Sequence, residues 1–292
     1  MKAAPFEYAR AETVEHALAL LAEHGSDGKL LAGGQSLVPM MAMRLARPAW
    51  LIDIHRLEAL KSIHYTPQQV QIGACVRQCV LDAEPELARQ VPLVKKALAW
   101  VGHIQTRHRG TIGGSLAHAD PSAELPLVAA CLQAEIRLRR AQSERVVAAA
   151  EFFAGPMMTA IAPDECLVEV SLPIWAQARL GCAFDEVSIR HGDFAIVAAL
   201  AQVGLDADGR CRRVALGVAG VGPAPIALNS VAMTLIGSSL EDVAIAAVAD
   251  AAARTLDPDS DLHATREYRL HLARVLIRRV LSAARNEAMS QP

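Results

Sequence analysis

Along the 292 residues, apolar positions first recur at helical spacing at Val14, Leu18, Leu21 and Ala22. Thr13 stands where an N-cap hydroxyl belongs and Gly25 where a helix can end, which predicts a helix between them. A short strand is predicted at 29–32, then a glycine pair, then a helix over 37–45 that Pro48 closes before the apolar run Trp50-Leu51-Ile52-Asp53-Ile54. Strand, helix and strand in that order predict a small βαβ-like lobe. From 63 to 72 two partly alternating segments flank Thr66-Pro67, the pattern of a hairpin and of a second, antiparallel sheet.

Pro92 opens a predicted helix through Leu93, Val94, Ala97, Leu98 and Val101. Ser122 is expected to cap another, with Leu125, Val128, Ala129 and Leu132 on one face. A strand over 167–172 ends at Pro173, and the polar, glycine-ended segment 177–181 reads as a linker. The expected division is therefore residues 1–176 and residues 177–292. In the second part, strands near 182–189, 195–205 and 211–218 surround the turn Asp206-Ala207-Asp208-Gly209. Ser239 with Asp242 is expected to form a capping box for a helix to Thr255, and Thr265 opens a last helix through Tyr268, Leu272, Val275 and Leu276. No internal repeat or low-complexity tract interrupts this order.

Composition narrows the class. With 52% hydrophobic residues and a mean hydropathy of +0.24, the chain is expected to bury a large core without disulfides or a structural metal. Its 29 Lys and Arg against 31 Asp and Glu leave no basic surplus for nucleic acid. The six cysteines, at 75, 79, 131, 166, 182 and 211, form no CxxC pair and no metal-like cluster, and read as buried free thiols. Asp250 and Arg254 interrupt the alanine-rich stretch from Val243 far short of the roughly 20 apolar residues of a membrane span. Met1 to Glu7 meets a proline and an acid before any apolar stretch, so no secretory signal is read and a cytoplasmic location is expected.

Candidate chemistry lies in two glycine loops. Leu30-Leu31-Ala32-Gly33-Gly34-Gln35-Ser36-Leu37 joins an apolar strand to a helix start, and Thr111-Ile112-Gly113-Gly114-Ser115 repeats the glycine pair between two hydroxyls. Glycines let the backbone approach phosphate oxygens and present its N–H groups to them. Neither loop is GxGxxG or GxxxxGK[ST]. Two unrelated tight turns would have the same composition; two loops closing on one pyrophosphate would neutralise it with few Lys or Arg.

The segments Ala32-Gly33-Gly34-Gln35-Ser36-Leu37-Val38-Pro39-Met40-Met41, Leu51-Ile52-Asp53-Ile54 and Arg109-Gly110-Thr111-Ile112-Gly113-Gly114-Ser115-Leu116-Ala117-His118-Ala119-Asp120-Pro121 closely resemble the FAD-binding medium subunit of molybdenum hydroxylases. Familiar members are the carbon monoxide dehydrogenase medium subunit and the flavin domain of xanthine dehydrogenase. The likeness continues in order through Arg190-His191-Gly192-Asp193-Phe194-Ala195, Gly220-Val221-Gly222-Pro223 and the segment from Tyr268 to Leu276.

The resemblance implies an α+β fold: a two-lobed FAD-binding domain of the PCMH type, with a small βαβ lobe and an antiparallel-sheet lobe, then a C-terminal domain with a three-stranded antiparallel sheet and helices. It implies FAD contacts at Ala32, Gly33, Gly34, Gln35 and Ser36, flanked by Leu31 and Leu37, and at Thr111, Ile112, Gly113, Gly114 and Ser115. Further out it implies Val101 beside the flavin or adenine, Glu124 near ribose or phosphate, Leu167 at the isoalloxazine edge through its main chain, and Phe194 over the ring where relatives often have tyrosine. Gln35 stands where histidine is frequent, Ser115 where asparagine is, and Asp185 where some relatives carry a lysine. A carboxylate beside reduced flavin disfavours its anionic form, so Asp185 is left out of the site. His118 and Asp120 read as loop-fixing residues, and no catalytic or metal-ligating residue is assigned.

By the same resemblance the chain is an oxidoreductase subunit. It would take electrons from 2Fe-2S clusters of a small subunit, fed by a large molybdopterin-binding subunit, in a dimer of heterotrimers, and pass them to an external acceptor. A stand-alone FAD-dependent oxidoreductase and a flavin-free assembly module are the alternatives.

Overall fold

Thr13 accepts a hydrogen bond from the His16 amide at 3.1 Å, and Gly25 ends the helix at φ 53°, so the first helix forms where its caps place it. The computed structural model describes residues 2–291. Around this helix, α1 (Val14–His24), it arranges β1 (Glu7–Arg10), β2 (Gly28–Leu31), α2 (Leu37–Ala42) and β3 (Trp50–Asp53). The three strands are parallel, in the order β1-β3-β2. The apolar stripe Val14, Ala17, Leu18 and Leu21 buries against Ile52 and Ile54, and Cys75, Cys166 and Val168 of the next lobe complete that core. Helix α2 stops three residues before its predicted end, because Arg44 turns to φ 60° and the Leu45 amide returns to the Met40 carbonyl.

The second lobe begins with the predicted hairpin, β4 (Ile63–Tyr65) and β5 (Gln69–Gly73). Six helices follow: α3 (Gln78–Ala83), α4 (Pro85–Gln90), α5 (Pro92–Leu98), α6 (Ile104–Arg107), α7 (Ile112–His118) and α8 (Glu124–Cys131). Then come β6 (Glu135–Arg140), β7 (Ser143–Ala148), α9 (Ala149–Phe152), the small hairpin β8 (Phe153–Gly155) and β9 (Met158–Thr159), and β10 (Cys166–Pro173). The main sheet runs β4-β5-β10-β6-β7, antiparallel throughout. Ser122 does not cap α8. An Asx turn takes it instead, with Asp120 Oδ1 accepting the Ser122 amide at 2.8 Å, and the helix opens at Glu124 after Ala123.

The C-terminal part is β11 (Arg179–Val187), β12 (Val197–Leu205), β13 (Cys211–Ala219), the two-residue β14 (Ile226–Ala227), α10 (Asn229–Ala232), α11 (Asp242–Thr255) and α12 (Arg266–Met289). Three long antiparallel strands and helices match the expectation, with β14 as a short addition on the β13 edge. Pairing of Arg179 with Leu205 starts β11 inside the stretch read as linker, leaving 174–178 as the connection. The expected capping box at α11 is not formed, since the Ser239 hydroxyl bonds the Glu241 carboxylate and no side chain caps the helix. Thr265 does cap α12, accepting the Tyr268 amide at 3.2 Å.

Strand β12 is buried along its whole length. One of its faces, Val197, Ala199, Ala201 and Val203, packs with α11 and α12, while Ala198 and Leu200 on the other join the core of the second lobe. Burial on both faces explains its continuous apolar run. Gly217 on β13 leaves room for Leu127 and Cys131 of α8, so the two parts meet in side-chain contact.

Candidate functional site

The two glycine loops touch. A Cβ on Gly33 would overlap the carbonyl oxygen of Arg109 and come within 2.9 Å of the Gly110 Cα, so the first loop lies directly against the entry to the second. Gly34 holds φ +71°, a conformation that side-chain-bearing residues rarely adopt. Gly113 is the second close-packing glycine, because a Cβ there would sit 2.6 Å from that of Ala74. Gly114 differs: its Cβ would meet the Thr111 hydroxyl at 2.9 Å and then only Ala32, at 4.0 Å. It faces the space between the loops.

The loops carry different donors. Among the described residues, the amides of Gly33, Gly34, Gln35, Ser36 and Leu37 have no acceptor, five consecutive N–H groups at the C-terminal end of β2. In the second loop Ile112 donates to the Val76 carbonyl, Gly113 to Ala74, and Gly114 and Ser115 to the Thr111 hydroxyl and carbonyl. What it offers a ligand is therefore its hydroxyls, on Thr111 and Ser115. The Gln35 side chain donates to the Gly33 carbonyl at 3.2 Å and steadies the first loop. An anion with two phosphoryl groups fits this set, with free amides on one side and hydroxyls with an open glycine on the other.

Helix α6 joins the second loop to a further rim. Arg107 donates to the carbonyls of Val101 and Gly102 at 2.9 and 3.1 Å, and the Gly110 amide bonds Thr106. Across from Val101, which is buried, Trp100 stacks on His191 at 5.2 Å, and Gly192, at φ +90°, packs against His103. Phe194 leaves this loop 64% exposed, so it is not a core aromatic. Val101 and Phe194 thus belong to one rim made by segments some ninety residues apart in sequence. Leu167 is buried at the start of β10, beneath α7, where a bulge at Val168 sends its carbonyl to the Ala74 amide.

Glu124 opens α8 and is 8% exposed; burial, with Asp120 nearby, raises its carboxyl to about 7. Asp185 turns towards α12, with its carboxylate 3.6 Å from Arg279. Its neighbour Glu186 points the opposite way, on the face of β11 that carries Phe184 towards the second lobe. Glu186 is the inward acid that sequence reading missed. Also missed were the buttressing carbonyls of Ala74 and Val76, and buried Gln78, whose amide bonds the Gly110 carbonyl and whose side-chain oxygen packs against that glycine. None carries a motif. Burial of Gln78 and its approach to Gly110 are set by the tertiary structure, since the two stand 32 residues apart in the chain.

Residues 4–175 match the family described as the FAD binding domain in molybdopterin dehydrogenase, and residues 182–284 the CO dehydrogenase flavoprotein C-terminal domain. The chain is 42% identical to the 6-hydroxypseudooxynicotine dehydrogenase complex subunit alpha of Paenarthrobacter nicotinovorans, over 99% of this chain and 97% of that one. It superposes on the quinoline 2-oxidoreductase structure from Pseudomonas putida 86 with a TM-score of 0.93 at 35% identity, covering 99% and 100% of the two chains. For the reconstituted CO dehydrogenase of Oligotropha carboxidovorans the TM-score is 0.95 at 31% identity, covering 98% and 100%. Fold, contacting glycine loops and relatives agree: the chain belongs to the FAD-binding medium subunits of the molybdenum hydroxylase family and is an oxidoreductase subunit.

Proposed function

We propose that this chain is the electron-transfer subunit of a molybdenum hydroxylase complex, with a small 2Fe-2S subunit as donor, a large molybdopterin subunit as the site of substrate oxidation, and an external acceptor. The observation that carries the reading is the pair of contacting loops, five free amides opposite two hydroxyls and an open glycine. Bound there, FAD would supply the redox chemistry. Residues 33–37 would hold one phosphoryl group through main-chain N–H donors, and Thr111 and Ser115 the other through hydroxyls. Gly114 would let the diphosphate come close to the backbone.

Val101, Phe194 and Leu167 would frame the flavin, and Glu124 would stand near the ribose. The FAD-binding part would end near residue 176, in the connection 174–178. The protein's task in this scheme is position and electrostatics. No group of three or more His, Cys, Asp or Glu among the described residues is arranged to hold a metal, so the iron–sulfur and molybdenum centres are assigned to partners. No helix among those residues is long and apolar enough to cross a membrane.

The test is the visible spectrum of the purified chain, with chromatographic identification of released flavin, followed by co-purification from a host that expresses its neighbouring genes. About one FAD per chain, little substrate turnover alone, and recovery of turnover with two partner subunits are expected. Full turnover by the isolated chain would favour a stand-alone oxidoreductase, and a folded chain that takes up no flavin would favour an assembly module.

A further inference from the structure

Glu186 is 5% exposed, and neither of its carboxyl oxygens has a hydrogen-bond partner among the described residues. A buried polar group in that state calls for a cause, because burial penalises an unpaired carboxylate heavily. Its place in the sheet supplies one. Across β11, β12 and β13 it lies in the row Glu186, Ala198, Ala219. The two alanines beside it bring no hydrogen-bonding side chain, and one residue beyond the row the Gly220 amide bonds the Pro121 carbonyl at 3.1 Å, three residues before Glu124. The row therefore leads from one buried carboxyl to the other, across the seam between the C-terminal sheet and α8.

Nothing basic compensates them. Among the described residues neither glutamate makes an ion pair or side-chain hydrogen bond with Lys, Arg or His. The acids nearest the pair are Asp120, in the turn before α8, and Asp185, next to Glu186 on the strand but turned to its other face towards Arg279. Burial, then Glu124 and Asp185, raise Glu186 to about 8, while burial raises Glu124 to about 7. Two such groups titrate as a pair, and the folded chain keeps protons that the unfolded chain releases.

We propose that Glu124 and Glu186 form a proton-holding carboxyl pair that sets the affinity of the neighbouring FAD site. With the pair protonated the seam accepts the anionic cofactor, and with both groups ionised it repels it. The inference rests on the cofactor reading above. The second glycine loop is the first turn of α7, so only residues 116–118 of that helix and the turn 119–123 separate it from Glu124, a stretch within the reach of one dinucleotide. Phe184, two residues before Glu186 on the same face, lies 6.4 Å from Trp100 on the opposite rim.

The experiment measures the FAD dissociation constant by flavin fluorescence from pH 6 to 9, in the full chain and in Glu186→Gln, with thermal melting of the flavin-free protein over the same range. Glutamine keeps the shape and cannot ionise. The wild-type constant should rise at least tenfold across the range, and that of Glu186→Gln should stay within about twofold of the wild-type value at pH 6. Flavin-free wild type should melt progressively lower as pH rises towards 8, because its folded state holds the extra protons, and the variant should flatten that slope. Glu124→Gln should flatten both curves as well and serves if the first variant does not fold. Variants that keep the wild-type slopes overturn the carboxyl pair. A wild type that binds no FAD at any pH overturns the cofactor reading instead.

Discussion

Replacing Gly114 with aspartate separates loop chemistry from loop folding. Gly114 is the third residue of α7, and its amide caps onto the Thr111 hydroxyl at 3.0 Å. A Cβ there would press on that hydroxyl at 2.9 Å. Losing the cap costs about 1 kcal/mol, and replacing a helical glycine by alanine returns about 1 kcal/mol, so Gly114→Ala should melt close to wild type. Aspartate adds a unit charge facing the diphosphate. At about 4 to 5 Å and an effective dielectric of about 20 the repulsion is roughly 3 to 4 kcal/mol, or more than a hundredfold in affinity. Flavin-to-protein ratio after gel filtration and fluorescence titration of flavin-free protein read the effect directly. Alanine should weaken binding at most about tenfold. A folded Gly114→Asp that retains FAD with wild-type affinity would refute the placement of the diphosphate between the loops.

Further consequences concern stability and pH. Gly33→Ala drives a Cβ into the Arg109 carbonyl, and such overpacking should cost about 2 kcal/mol, lowering melting temperature and flavin content together. Arg269, 7% exposed, donates to the carbonyls of Ile196 and Gly220 and to Asp261. Arg269→Met should destabilise by about 3 kcal/mol, read by denaturant unfolding, while folded molecules keep their flavin. The amides of Ala264 and His263, then Arg269, hold Asp261 down to about 2 against the usual 3.8. Its stabilisation is complete above the ordinary value and lost as pH falls through 2, so Asp261→Asn should flatten melting curves between pH 4.5 and 2.

Features legible in the sequence were those decided within a few residues. Thr13, Gly25 and Thr265 cap or end helices because caps act on amides two or three positions away. The hairpin after Ile63 and the turn at Asp206, whose carboxylate accepts the Asp208 and Arg210 amides, are local in the same sense. Ser122 and Ser239 do not cap because nearby acids draw them into other local bonds, Asp120 accepting the Ser122 amide and Glu241 the Ser239 hydroxyl, and sequence pattern alone does not rank such alternatives.

By itself the sequence determined the elements, the two glycine loops and, through its motifs, the family. Tertiary structure decided what each glycine does: Gly33 and Gly113 allow backbone contact with Arg109 and Ala74, while Gly114 stays open. It also brought Val101 and Gly102 against the loop at His191 and Gly192, and chose Glu186 over Asp185 as the inward acid. The reason is the same in each case. Strand β11 is covered on both faces, by α12 on one side and the FAD-region core on the other. No alternation of apolar and polar residues therefore marks its inner face, and a shift of one position exchanges the two sides. That parity is set by pairing with β12, a long-range contact that no local pattern encodes.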